Sequence, residues 1–161
     1  MAQIKFNFDC FGDSSVGVLT PEDVKFFYYD ICFDSEMGNS DLYNWNKDIE
    51  DFIAKNNMVI DDRVAASIPS TFSENKIYFT IGDEYKGNKA AAFLHHLRDA
   101  FAHYRIGISG EYYCMKDFRK DKTITMIGKI HRRLLKELME LFFYQKAKIE
   151  KEMNQYYYQE I

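Results

Sequence analysis

A chain of 161 residues, 47% hydrophobic and 17% aromatic, carries enough apolar material for one domain with its own core and is not a disordered composition. Its formal net charge of −4 argues against a generic nucleic-acid coat, though it is compatible with a local basic cleft. Three scattered cysteines, Cys10, Cys32 and Cys114, form no CxxC pair. They support neither a disulfide framework nor a zinc site, and fit reduced thiols in a cytoplasmic protein.

The N-terminal residues show no basic region followed by an apolar run, so no signal peptide is read. No apolar stretch reaches the ~20 residues that a bilayer demands, and no membrane contact is expected. Residues 1–19 alternate loosely at Ile4, Phe6 and Phe8 and read as an arm. Thr20-Pro21-Glu22-Asp23 is a helix start, with a hydroxyl cap, proline at the first position and acids in the first turn. That helix is expected to reach about Phe33, with Val24, Phe27, Tyr28 and Ile31 inward, and to break at Gly38-Asn39-Ser40. A second helix is expected from near Asp41 to about Asn56, with Leu42, Trp45, Ile49, Phe52 and Ile53 at helical spacing. Residues 58–74 carry no clear pattern beyond a loop at Ile68-Pro69-Ser70-Thr71. Lys76 to Ile81 is β-branched and aromatic, a short strand closed by Gly82-Asp83.

Lys89 to Ile106 is the segment on which the reading turns. At ~100° per residue, Ala90, Phe93, Leu94, Leu97, Phe101 and Tyr104 make one apolar face. The other side interleaves Ala91, Ala92 and Ala102 with His95, Arg98, Asp99 and His103, while His96 lies nearer the edge. Small residues beside a cation, a carboxylate and a titratable base suggest a surface that meets something. Gly107 to Phe118 reads as a hairpin turning at Ser109-Gly110. Ile124 to about Tyr156 is the longest helical pattern, with Ile127, Ile130, Leu134, Leu138, Leu141 and Phe142 inward. The expected fold is mainly all-α: a single domain with an arm over 1–19, a bundle of four to five helices over 20–152 with a small β-hairpin insert, and a tail over 153–161.

Arg98, Asp99 and His103 spell R-x4-H within L-R-D-A-F-A-H-Y-R-I. This hexapeptide, with a polar residue directly after the arginine, resembles the signature of the HEPN superfamily (higher eukaryote and prokaryote nucleotide-binding domains). The order of a motif helix, a short hairpin insert and a long closing helix resembles that family too, over roughly residues 20–150. The resemblance implies a HEPN-like bundle and a metal-independent ribonuclease acting as a homodimer, in a toxin or anti-phage role with a possible antitoxin protein as partner. The alternative it admits, which the intact Arg98–His103 pair disfavours, is an inactive HEPN module that binds nucleotide, RNA or protein. A third reading is a helical dimerisation protein with no nucleic-acid role.

The chemistry can be argued from the residues as well. RNA cleavage without a metal needs a base for the 2′-hydroxyl, an acid for the leaving oxygen and a cation for the growing phosphate charge. Histidine as a residue type can act as base or acid near neutrality, which makes His103 the candidate for that role. Arg98 offers a planar fork of donors, and Asp99, one turn before His103, is placed to hold its imidazole. Five residues apart, Arg98 and His103 diverge by about 140° on an ideal helix, which a twofold partner would remedy. His95, Arg132 and Arg133 are candidate substrate contacts, the two arginines through backbone phosphates. Neither a metal ligand cluster nor a cofactor-binding loop is read, so none is expected.

Overall fold

Five strands form one mixed sheet in the order β1 (Val59–Asp62), β2 (Lys76–Phe79), β5 (Ile124–His131), β4 (Tyr112–Phe118), β3 (Ile106–Ser109). In this computed structural model, which describes residues 16–36 and 42–159, β1 runs parallel to β2 and every other neighbouring pair is antiparallel. The expected all-α, HEPN-like bundle is therefore overturned. The chain is mixed α/β.

The error lies chiefly in Ile124–His131, expected as the first turns of the long helix. In the structure these residues are β5, the central strand, and the helix α5 begins only at Arg132, running to Gln159. A central strand covered on both faces buries consecutive residues, so it lacks the alternation that marks a strand. Thr125, Met126, Ile127 and Gly128 are indeed all buried. Gly128 answers a packing need, since a Cβ there would lie 2.8 Å from Cγ1 of Ile77 on β2. The hairpin does form, with Gly110 at φ +59, but as two strands of this sheet rather than an insert in a bundle. β1 arises in the stretch that carried no pattern.

The helices cover one face. α1 (Pro21–Lys25) starts with a capping box, in which Thr20 and Asp23 satisfy each other's backbone N–H groups. It passes without a break into a π-helical run, Phe26–Phe33, and a last α-turn, α2 (Asp34–Glu36). The wider π turn shifts the phase of a 3.6-residue stripe. Phe27 and Ile31 stay buried, while Val24 and Tyr28, expected inward, are exposed. α3 (Lys47–Lys55) is shorter than expected and is capped by the Asn46 side chain on the Ile49 N–H. α4 spans Lys89–Ala102.

Phe27, Ile31, Ile49, Phe93, Leu97, Leu135, Leu138 and Phe142 from these helices join Ile77, Phe79, Tyr113, Met115, Met126 and Ile130 of the sheet in one core. The other sheet face is partly covered where Val16 and Phe72 pack on Cys114. Gly17 is tied to the edge strand through Ile108, by backbone bonds of 2.6 and 2.9 Å. Cys32 and Cys114 are buried thiols without a disulfide. No helix among the described residues is long and apolar enough to cross a membrane. Residues 1–15 of the arm expected over 1–19, Cys10 among them, the break at Gly38-Asn39-Ser40, the helix start at Asp41 and the last two residues of the tail lie outside the described residues. The described part of the tail continues α5.

Candidate functional site

α4 begins where the Asn88 side chain accepts the Ala91 N–H at 3.1 Å, and it lies against the π-helical run and β4. That packing consumes the small residues. Ala91 and Ala92, expected on an open surface for a second copy, are 0% exposed within the chain's own fold, and only Ala102 faces solvent. The alanines permit close approach, but of this chain's own sheet and π run.

The helix ends by a Schellman closure, with Arg105 N–H on the Ala100 carbonyl and Tyr104 N–H on that of Phe101. This forces Tyr104 to φ +58, a position that usually falls to glycine. Tyr104, expected in the core, is thereby turned outward and is exposed.

His96 ties α4 to the sheet by polar contacts at both ring nitrogens. Its Nδ1 lies 2.8 Å from Asp117 Oδ2 on β4, and its Nε2 lies 2.8 Å from the Thr80 carbonyl oxygen just past β2. Both partners are acceptors, so the ring makes both bonds at once only when each nitrogen carries a proton. That marks His96 as a fastener rather than a free base. Asp117 is further held by the Phe118 N–H at 3.0 Å and by Arg105 Nη1 at 3.7 Å.

A cleft of about 270 Å³ opens beside this contact, where α4 meets the Thr80, Phe118 and Thr125 ends of the strands. Asp99, Tyr85, Glu84 and Arg119 complete its walls. Burial, and after it the negative charges of Glu84 and Asp99, push the Tyr85 phenol above its ordinary range. Asp99 Oδ1 accepts from Arg98 Nε at 3.1 Å and Nη2 at 2.8 Å. The expected carboxylate–imidazole pairing with His103 is thus replaced by a pairing with the neighbouring arginine. Asp99 and His103 remain linked only through the main chain, His103 N–H to Asp99 O at 3.0 Å.

His96, Asp99 and His103 recur at i, i+3 and i+7, so they share one face of α4, with His103 about 10 Å along the axis from His96. His103 is exposed at the helix C-cap, and its ring has no partner among the described residues. His95, expected to touch substrate, sits with its ring 5.1 Å from that of Tyr85 on the cleft wall.

Arg132 and Arg133 lie elsewhere. β5 carries the chain from Thr125 at the cleft to His131 at the far end of the sheet, about 20 Å away at ~3.3 Å per residue. There Arg132 Nη2 binds buried Asp23 at 3.1 Å, and Arg133 forms an exposed pair with Glu137 at 2.9 Å. They border a separate open groove of about 500 Å³ that also holds His131, Lys136 and three glutamates. The structure brings Arg98, Asp99, His95 and His103 to one end of the molecule and does not bring Arg132 or Arg133 to them.

Asp117, Thr80, Glu84, Tyr85, Arg119 and Thr125 were not singled out by the sequence. Only Asp117 left a trace, as a charge beside Lys116 inside the apolar run Y-Y-C-M-K-D-F, and both residues are buried. Comparison with known proteins finds no matching family model, curated protein or solved structure.

Proposed function

We propose that this chain is a metal-independent endoribonuclease whose reacting groups lie on the C-terminal half of α4. The observation that carries this is one continuous face: Asp99 lines a cleft of nucleobase dimensions, and a turn further on the same face ends in exposed His103. The hexapeptide that resembles the HEPN signature supports it. The bundle implied by that resemblance is absent, so the side chains of α4 bear the whole weight.

In this reading His103 takes the proton of a 2′-hydroxyl, whose oxygen attacks the adjacent phosphorus as the bond to the 5′-oxygen breaks. The 5′-oxygen takes its proton from solvent, to which this end of α4 is open. Arg98 uses Nε and Nη2 on Asp99 and keeps Nη1 for a phosphate oxygen. A homodimer and an antitoxin protein, both implied by the resemblance, belong to the same proposal, but the buried alanines no longer offer the expected contact surface.

A second reading, an RNA-binding module without activity, is favoured by one observation: Asp99 is engaged by Arg98 and leaves His103 without a carboxylate partner. Incubation of the purified chain with mixed RNAs in EDTA separates the two. Cleavage should fall ~10²-fold or more in Arg98→Ala and in His103→Ala, the scale of lost electrostatic or acid–base help. Binding by fluorescence anisotropy without cleavage would select the module. Cleavage that survives both substitutions would sink the ribonuclease assigned to these residues.

A further inference from the structure

We propose that the cleft between α4 and the sheet is a nucleobase pocket selective for guanine. For its place on an RNA substrate this rests on the ribonuclease reading; as a binding site it stands independently. At about 270 Å³ the cleft falls just under the range of drug-sized pockets, which suits one planar base. Tyr85 and Phe118 give it aromatic walls, and unstacked RNA bases are held by such rings and read on their Watson–Crick edges.

Two threonines of the cleft wall offer hydroxyls to it. Thr125 is only 5% exposed, lines the cleft, and its hydroxyl has no hydrogen-bond partner among the described residues. The Thr80 hydroxyl, on a residue 9% exposed, has only a 3.5 Å approach to His96 Nε2. Each hydroxyl can both donate and accept, so a ligand in the cleft can be met by either.

The acceptors choose the base. Asp99, on the cleft wall, uses Oδ1 for both Arg98 bonds, which leaves Oδ2 for another donor. The Glu84 carboxylate folds back over Gly82: a Cβ on Gly82 would lie 2.3 Å from Glu84 Oε2 and 2.7 Å from Oε1. Gly82 has an ordinary φ of −68, so the glycine supplies space rather than backbone freedom. It keeps the carboxylate at the cleft wall.

A carboxylate accepts two parallel bonds. Guanine alone among the RNA bases offers two adjacent donors for them, N1–H and the 2-amino group. Adenine turns an acceptor, N1, to the same place. Arg119, also on the cleft wall, complements O6 and N7 on the other edge of guanine, the commonest arginine contact to a base.

The test titrates the full chain with GMP, IMP and AMP by calorimetry. GMP should bind about tenfold or more tighter than AMP, the discrimination that one bidentate pair provides. IMP, which lacks the 2-amino group, should fall between them. Glu84→Gln should erase most of the preference. Gly82→Ala should do the same by pushing the carboxylate away, while circular dichroism melting stays unchanged because only a flexible side-chain end must move. Equal binding of GMP and AMP, no binding of either, or a preference that survives both substitutions would overturn the pocket. RNA cleavage without any guanine preference would overturn the pocket and leave the ribonuclease standing. Guanine selectivity without cleavage would do the reverse.

Discussion

Asp23→Asn should cost the fold about 3 kcal/mol, because it unbalances a buried charge cluster. Asp23 is 0% exposed at the third position of α1. Its Oδ2 accepts the Thr20 N–H at 3.2 Å, the Thr20 hydroxyl at 2.6 Å and Arg132 Nη2 at 3.1 Å. Its Oδ1 accepts the Tyr113 hydroxyl and Arg132 Nη2 at 3.3 Å, with Lys136 Nζ 3.7 Å away. Asparagine keeps the shape but replaces one oxygen with an NH₂. Either placement of that group faces donors that cannot turn into acceptors.

Removing one partner of a buried pair costs ~3–5 kcal/mol. Arg132 and Lys136 keep 27% and 40% of their side chains exposed, which argues for the lower end. At ~2–4 °C per kcal/mol for a domain of this size, the melting temperature should fall by about 6–12 °C.

The pH dependence checks the cause. Burial pushes the Asp23 carboxyl up, but hydrogen bonds from Thr20 and Tyr113 and the charge of Arg132 outweigh it and hold the group below its ordinary range. A carboxyl lowered on folding contributes stability that is complete above its unfolded value, near ~4. That stability is lost as the pH falls through the folded value. Melting followed by circular dichroism from pH 7 down to pH 3 should therefore show the gap between wild type and Asp23→Asn closing on acidification. A gap under about 1 kcal/mol at pH 7, or one that stays constant to the lowest pH where wild type still folds, would refute the reasoning.

Gly128→Ala should cost about 1–3 kcal/mol by overpacking against Ile77, whose Cγ1 would stand 2.8 Å from the new Cβ; urea unfolding at constant m reads it. Ala91→Leu should destabilise by a similar ~1–3 kcal/mol while Ala102→Leu stays within about 0.5 kcal/mol, which separates internal packing from a surface for a second copy. A destabilisation by Ala102→Leu as large as that of Ala91→Leu would contradict the burial seen here. Tyr104→Gly should stabilise by up to about 1 kcal/mol, since it relieves a side chain held at φ +58; a lower melting temperature would mean that contacts of the Tyr104 ring outweigh the strain.

Features specified by neighbours along the chain were legible. The start of α1 follows from Thr20-Pro21 and the acids after them, and the 106–118 hairpin follows from Ser109-Gly110 between β-prone runs. The strand at Lys76 and the helix from Lys89 carry the period of their own type. Arg98, Asp99 and His103 were visible as a set for the same reason, because one short helical stretch carries all three and a helix sets Asp99 and His103, at i and i+4, one turn apart without help from the rest of the fold.

What the tertiary structure decided depends on elements far apart in sequence. The long pattern from Ile124 fits a helix until β2 and β4 pair along both edges of Ile124–His131 and the folded sheet buries Thr125 to Gly128 in succession, which removes the alternation that would have announced a strand. The alanines of α4 looked like an empty surface because the π run and the sheet that fill it are specified elsewhere. His96 gains Asp117 and Thr80 from 21 and 16 residues away, and Asp23 gains Arg132 across 109. No local periodicity records such a partner. Charge and hydrogen bonding select it only once hydrophobic burial has closed the sheet against the helices.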